Sequence, residues 1–149
     1  MLAIFAVCSY FIGNVNFALI ISKLKHKDIR KMGSGNPGTL NMSRNLGIKI
    51  GILTLVLDAL KGAVPALLGY LFFLKYNFPD TAFSVSDFAM YLCGLCVIVG
   101  HIFPVFLKFK GGKGIASTIG VVIVCTAVHG LWVLLAVASI AAAVLFIYY

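Results

Sequence analysis

The chain has 149 residues, of which 62% are hydrophobic and only 11% charged, and it carries a formal net charge of +8. Soluble domains hold about 25% charged residues, so a water-soluble globule is excluded and residues 1–149 read as one integral membrane domain. The lysines and arginines lie in loops beside apolar runs, which points to membrane topology and an anionic ligand and not to nucleic acid.

Leu2–Ser22 is the first run that meets the roughly 20 apolar residues needed to span a bilayer. No basic segment precedes it, so it does not read as a signal peptide. Asn14 and Asn16 within it are expected to make interhelical hydrogen bonds. A basic loop follows, with Lys23, Lys25, Lys27, Arg30, Lys31, Arg44 and Lys49; His26 needs no special role there. Its centre, Gly33 to Arg44, is rich in small polar residues: Ser34, Gly35, Asn36, Gly38, Thr39 and Asn41. Such residues form turns whose N–H groups gather an anion, and Arg44 can grip a phosphate at two points. On composition alone, a solvated loop on the positive side of the membrane is the competing reading. Gly33-x-Gly35-x-x-Gly38 matches the dinucleotide fingerprint formally, with Asp58 twenty residues on, but no strand precedes it and Asp58 falls in an apolar helix.

Ile50–Leu74 is the second span. Asp58 lies nine residues past Lys49, roughly 13 Å of helix rise, and therefore near mid-membrane. Lys61 follows at i+3, on the same face and close enough to pair. The pair is expected to face the bundle, either as a structural ion pair or as support behind a site.

Phe88–Leu107 is the third span. The preceding loop, 75–87, holds only Lys75 among basic residues and also Asp80 and Asp87. Both basic loops are therefore expected in the cytoplasm and the N-terminus outside. Cys93 and Cys96 form a lone C-x-x-C inside an apolar run, which reads as packing and not as a metal site. Pro104 is expected to kink or open the helix and turn His101 towards the next loop. There His101 could accept a proton from a hydroxyl or donate to a phosphate; a buried histidine satisfied by a carbonyl is the equal alternative.

Lys108-Phe109-Lys110-Gly111-Gly112-Lys113-Gly114 interleaves lysines with glycines between apolar runs. Glycines let backbone amides converge, and a helix beginning at Ile115 would aim its positive end at the same point. An anion pocket, for phosphate, is the expectation. The phosphate-loop pattern of nucleotide-binding proteins fails, because Leu107 stands where its first glycine belongs. Ile115–Tyr149 is too long for one span and His129-Gly130 interrupts it, so two helices are expected. The fold class is thus an all-α polytopic bundle of about five spans.

Ser34-Gly-Asn-Pro-Gly-Thr-Leu-Asn-Met-Ser-Arg44 resembles the first signature of the bacterial acyl-phosphate:glycerol-3-phosphate acyltransferases. Gly100-His-Ile-Phe-Pro-Val-Phe-Leu-Lys-Phe-Lys-Gly-Gly-Lys-Gly-Ile-Ala-Ser117 is similar to the second, and Asp58-Ala-Leu-Lys61-Gly62 to a further family segment. The resemblance implies a multi-pass enzyme of the bacterial cytoplasmic membrane, with about seven spans in the family and its active-site loops cytoplasmic. It implies transfer of a fatty acyl group from acyl phosphate to the 1-hydroxyl of glycerol 3-phosphate, giving lysophosphatidic acid and phosphate. No cofactor, metal or acyl-CoA is implied. The implied partners are glycerol 3-phosphate, fatty acyl phosphate, membrane lipid and a soluble acyl-phosphate-forming enzyme that supplies the donor.

By the same resemblance, glycerol phosphate is assigned mainly to Lys110, Gly111, Gly112, Lys113 and Gly114, with Lys108 beside them. Ser34, Gly35, Asn36, Gly38, Thr39, Asn41 and Arg44 are assigned around the acyl phosphate. Ser34, Arg44 and His101 are the catalytic candidates, supported from behind by Asp58 and Lys61. Two proton acceptors stay open: His101 and the donor's own phosphate. Leu40 stands where the family has threonine, and the chain stops at Tyr149 before a third signature, so a C-terminally incomplete chain is expected. An anion transporter and an inactive short family member are the alternatives. A His-x₄-Asp pair, used by the other glycerol-phosphate acyltransferases, is lacking: Lys31, Phe106 and Leu134 stand five positions beyond His26, His101 and His129.

Overall fold

The computed structural model describes residues 1–78 and 84–130. Among these, the elements are helices α1 (Leu2–Asn14), α2 (Phe17–Leu24), α3 (Thr39–Leu46), α4 (Ile48–Phe73), α5 (Val85–Ile102) and α6 (Ile115–His129), with 3₁₀ turns at Ile29–Lys31 and Val105–Leu107. Three stretches are long and apolar enough to cross a membrane: Leu2–Leu24, Ile48–Phe73 and Val85–Leu107. At 15 residues, α6 is apolar but shorter. It ends at Gly130, whose φ of 66° allows the expected turn. The fifth expected span and the tail to Tyr149 lie outside the described residues.

The first span is not continuous. Asn16 is extended and caps α2, its side chain accepting the Leu19 N–H at 3.0 Å. Asparagine prefers that cap to a helix interior, so the apolar run breaks at Val15-Asn16. The third span opens at Pro104, one of the two expected outcomes: α5 ends at Ile102, because proline lacks an N–H and disfavours helical geometry in the residue before it. The stretch from Gly33 to Arg44, expected as turns, is half helical. From Thr39 onward α3 places Met42 and Leu46 on one face, and Met42 is buried against Ala18, Leu19, Ile21 and Ile29.

The bundle packs through small residues. Gly13 meets the Val97 carbonyl and Gly100 that of Tyr10, where α1 crosses α5; Gly62 meets the Ser117 carbonyl and Gly120 that of Ala59, where α4 crosses α6. A Cβ at any of these four would overlap the facing backbone. Helices whose outer faces are as apolar as lipid associate by such close approach, and Ile52, Val56, Leu60, Tyr91 and Leu95 are left exposed on the outside.

Leu2 and Phe5 of α1 pack with Phe73, Val85 and Ala89, and a bridge joins Asn77 to Ser84. That fixes one end of the bundle. The segments 25–47 and 103–114 therefore meet at the opposite end.

Candidate functional site

The first segment is built on Asn41, only 3% exposed. Its Nδ2 donates to the Ile29 carbonyl (3.1 Å) and the Met32 carbonyl (2.9 Å). Its Oδ1 accepts from the Ser34 N–H (3.2 Å) and Asn45 Nδ2 (2.8 Å). Two donors and two lone pairs are the whole capacity of an amide side chain. Asn41, expected around a substrate, is engaged inside the loop and holds it in shape. Gly33, at φ 53°, closes over this amide, and a Cβ there would overlap Asn41 Oδ1. Ser34 is exposed, with its Oγ accepting the Asn36 N–H at 3.4 Å. The Asn36 amide covers Gly38, which enters α3 with no side chain bonded to its first amides. Thr39 opens that helix and Arg44 is exposed in its last turn.

In the second segment two of the glycine amides expected to gather an anion are engaged within the chain. The Gly111 N–H donates to the Ile102 carbonyl and the Gly112 N–H to that of His101, each at 3.2 Å. The reason is Pro104. By ending α5 it orphans the last carbonyls of the helix, and the returning chain satisfies them. Lys108 and Phe109 adopt left-handed geometry (φ 54° and 61°) to make that return. The amides left facing the segment are those of the α6 first turn, before the first intrahelical bond from Thr118 N–H to the Gly114 carbonyl (2.9 Å). Gly114, at φ 80°, also enters its helix without a side-chain cap. The side chains of Lys108, Lys110 and Lys113 lie at the surface.

Beneath this segment lies a buried polar cluster. Asp58, Lys61 and His101 are 1%, 6% and 4% exposed. Lys61 Nζ lies 2.7 Å from Asp58 Oδ1, as the i,i+3 spacing predicted. Lys61 also donates to the Val15 carbonyl, which the break between α1 and α2 left without a helical partner. Its ammonium stands 5.6 Å from the centre of the Phe17 ring. His101 Nδ1 is 3.8 Å from Asp58 Oδ1. The other ring nitrogen, Nε2, faces Gly112 so closely that a Cβ there would overlap it. Ser117 is wholly buried near the start of α6.

The two segments touch. The Arg30 guanidinium donates to the Lys110 carbonyl at 2.7 Å, and the Arg30 carbonyl lies under Gly35, 3.0 Å from where a Cβ would sit. Asn16 Nδ2 donates to the Pro37 carbonyl (3.3 Å), and Asn14 Oδ1 accepts from the Phe106 N–H (3.4 Å). Arg30 and Asn45 were not singled out from sequence. The available signal for Arg30 was Asp28, two residues before it, whose carboxylate caps the 3₁₀ turn at the Arg30 N–H (3.1 Å). Among the described residues, no three His, Cys, Asp or Glu side chains converge to hold a metal ion.

The family model described as glycerol-3-phosphate acyltransferase matches residues 3–149. The glycerol-3-phosphate acyltransferase of Mycoplasmopsis pulmonis (strain UAB CTIP) is 45% identical over 119 residues, 80% of this chain and 50% of that protein. That of Aquifex aeolicus (strain VF5) is 42% identical over 123 residues, 82% of this chain and 59% of that protein. The chain thus spans about half the length of the curated relatives it matches. Among solved structures, the integral membrane glycerol 3-phosphate acyltransferase PlsY (YgiH) in its glycerol 3-phosphate form aligns with TM-score 0.73 at 35% identity, over 99% of this chain and 76% of that one. Its lysophosphatidic acid form aligns with TM-score 0.74 at 33% identity over the same shares.

Proposed function

This chain belongs to the glycerol-3-phosphate acyltransferase family, and from that membership we propose that it transfers a fatty acyl group from acyl phosphate to the 1-hydroxyl of glycerol 3-phosphate. The observation that carries the reading is a pair of helix N-termini at one end of the bundle. Each is entered by a glycine, Gly38 for α3 and Gly114 for α6, which has no side chain to cap the first amides. An uncapped N-terminus attracts phosphate through its amides and its dipole. Two such ends, linked by the Arg30–Lys110 contact, suit a reaction between two phosphorylated reactants.

The α6 end, with Lys108, Lys110 and Lys113, takes glycerol 3-phosphate. The N-terminal end of α3, with Ser34, Gly35 and Asn36 beside it and Arg44 in the last turn of the same helix, takes the acyl phosphate. Leu40 in place of threonine removes a hydroxyl but leaves the backbone amides of α3 unchanged. In the transfer, the glycerol oxygen bonds to the acyl carbon, the bond from that carbon to the phosphate oxygen breaks, and phosphate departs. The hydroxyl proton goes to the donor's own phosphate, because His101 Nε2 lies beneath Gly112. Phosphate is already a good leaving group, so no acyl-enzyme is required. Cations and helix ends offset the repulsion between the two anions and stabilise the developing charge, while alignment raises the effective concentration of the hydroxyl.

The basic segments 23–49 and 108–113 support a site on the cytoplasmic side by the positive-inside rule, and the family resemblance supports a bacterial inner membrane. A soluble enzyme that forms acyl phosphate supplies the donor. The test is donor selectivity. The protein, reconstituted in liposomes with glycerol 3-phosphate, is expected to release lysophosphatidic acid and phosphate one for one from acyl phosphate and to ignore acyl-CoA. Turnover that requires acyl-CoA, or solute flux without lysophosphatidic acid, contradicts it.

A further inference from the structure

We propose that the buried Asp58–Lys61 pair is a positioning device that sets both glycine-rich segments in register with each other. The inference rests on the two-phosphate reading of the site above. One arm runs from Asp58 to the second segment: Asp58 Oδ1 is 3.8 Å from His101 Nδ1, the ring's far side abuts Gly112, and the His101 carbonyl accepts the Gly112 N–H at 3.2 Å. The other arm runs from Lys61 to the first segment. Lys61 donates to the Val15 carbonyl at the α1–α2 break, and the next residue, Asn16, donates to the Pro37 carbonyl at 3.3 Å.

A pair serving stability alone has no need of these connections. Removing charges from mid-membrane is often neutral or favourable when both partners go, and an intramembrane charge is costly to keep. Here each partner reaches a backbone irregularity tied to a different segment: the end of α5, from which the second segment departs, and the break between α1 and α2, where Asn16 bonds the first. Both residues are buried. Their influence passes through His101 and Asn16.

The test compares Asp58→Asn with two variants that cut one arm each, His101→Gln and Asn16→Ala. Amide hydrogen exchange is read on the full-length protein in nanodiscs. In Asp58→Asn, exchange is expected to quicken about tenfold in both 33–38 and 108–114, with 66–73 unchanged. His101→Gln quickens only 108–114 and Asn16→Ala only 33–38. In the kinetic arm, Asp58→Asn raises KM for both substrates about fivefold with kcat within about threefold. His101→Gln raises KM for glycerol 3-phosphate alone, and Asn16→Ala for acyl phosphate alone. Quickening in one segment only, in neither, or uniformly along the chain overturns the proposal. A wild-type protein with no acyl transfer counts against the functional reading, and the exchange pattern then decides the positioning role by itself.

Discussion

Gly112→Ala is the sharpest perturbation the site offers. An added Cβ would overlap His101 Nε2, with Cε1 at 3.2 Å and Cδ2 at 3.3 Å, so either the ring or the loop must give by roughly 1 Å. The ring has little freedom. It is 4% exposed and enclosed between Gly112 on one side and Asp58, whose Oδ1 lies 3.8 Å from Nδ1, on the other. Forcing it off its rotamer costs about 0.5–1.5 kcal/mol, and overpacking a filled site typically costs about 1–3 kcal/mol. If the loop moves instead, a displacement near 1 Å at a substrate-positioning segment can lower the rate about 10²-fold. Either route predicts a 10- to 100-fold fall in kcat/KM, mainly as a raised KM for glycerol 3-phosphate. The assay is initial-rate phosphate release at varied glycerol 3-phosphate, with thermal unfolding as a folding control. The double variant Gly112→Ala/His101→Ala should lose less than the product of the two single losses, because the clash has gone. A folded Gly112→Ala protein with wild-type KM and kcat refutes the reasoning.

Asn41→Ala leaves the Ile29 and Met32 carbonyls and the Ser34 N–H without their partner, and is expected to destabilise by roughly 2–4 kcal/mol, read as a lowered unfolding midpoint in detergent. Asn41→Asp gives no rescue, because both carbonyls then face a second acceptor. Arg30→Ala removes the direct contact to the Lys110 carbonyl; at an exposed position this amounts to about 1 kcal/mol, or a roughly fivefold rise in KM for glycerol 3-phosphate in the same assay. Lys61→Met strands the Asp58 carboxylate and should cost about 3–5 kcal/mol, whereas Lys61→Met combined with Asp58→Leu should recover much of that in unfolding measurements.

The spans were legible because apolar runs of membrane length leave few alternatives, and Asp58–Lys61 because helical periodicity sets its face. The break at Val15-Asn16 was hidden by mean hydropathy, which averages over a single capping asparagine. The helix from Thr39 escaped notice because its sequence reads as turn-forming, whereas burial of Met42 against α2 and Ile29, with Leu46 and Ile50 packed beside it, favours the helix. In the glycine-lysine segment, the partners of two glycine amides were not legible from sequence. Gly111 and Gly112 repair the end of α5, a demand created by Pro104 that local composition does not reveal. The saturation of Asn41 and the reach of Arg30 depend on carbonyl positions set by tertiary packing, which no spacing rule encodes.

In the proposed reaction both phosphorylated reactants occupy the paired helix ends together, with no covalent acyl-enzyme between them. A matrix of initial rates at crossed concentrations of acyl phosphate and glycerol 3-phosphate tests this directly. Double-reciprocal lines that intersect, with no burst of phosphate when glycerol 3-phosphate is omitted, are the predicted result. Parallel lines with a stoichiometric phosphate burst contradict it, since they mark a donor that leaves its acyl group on the protein before the acceptor binds.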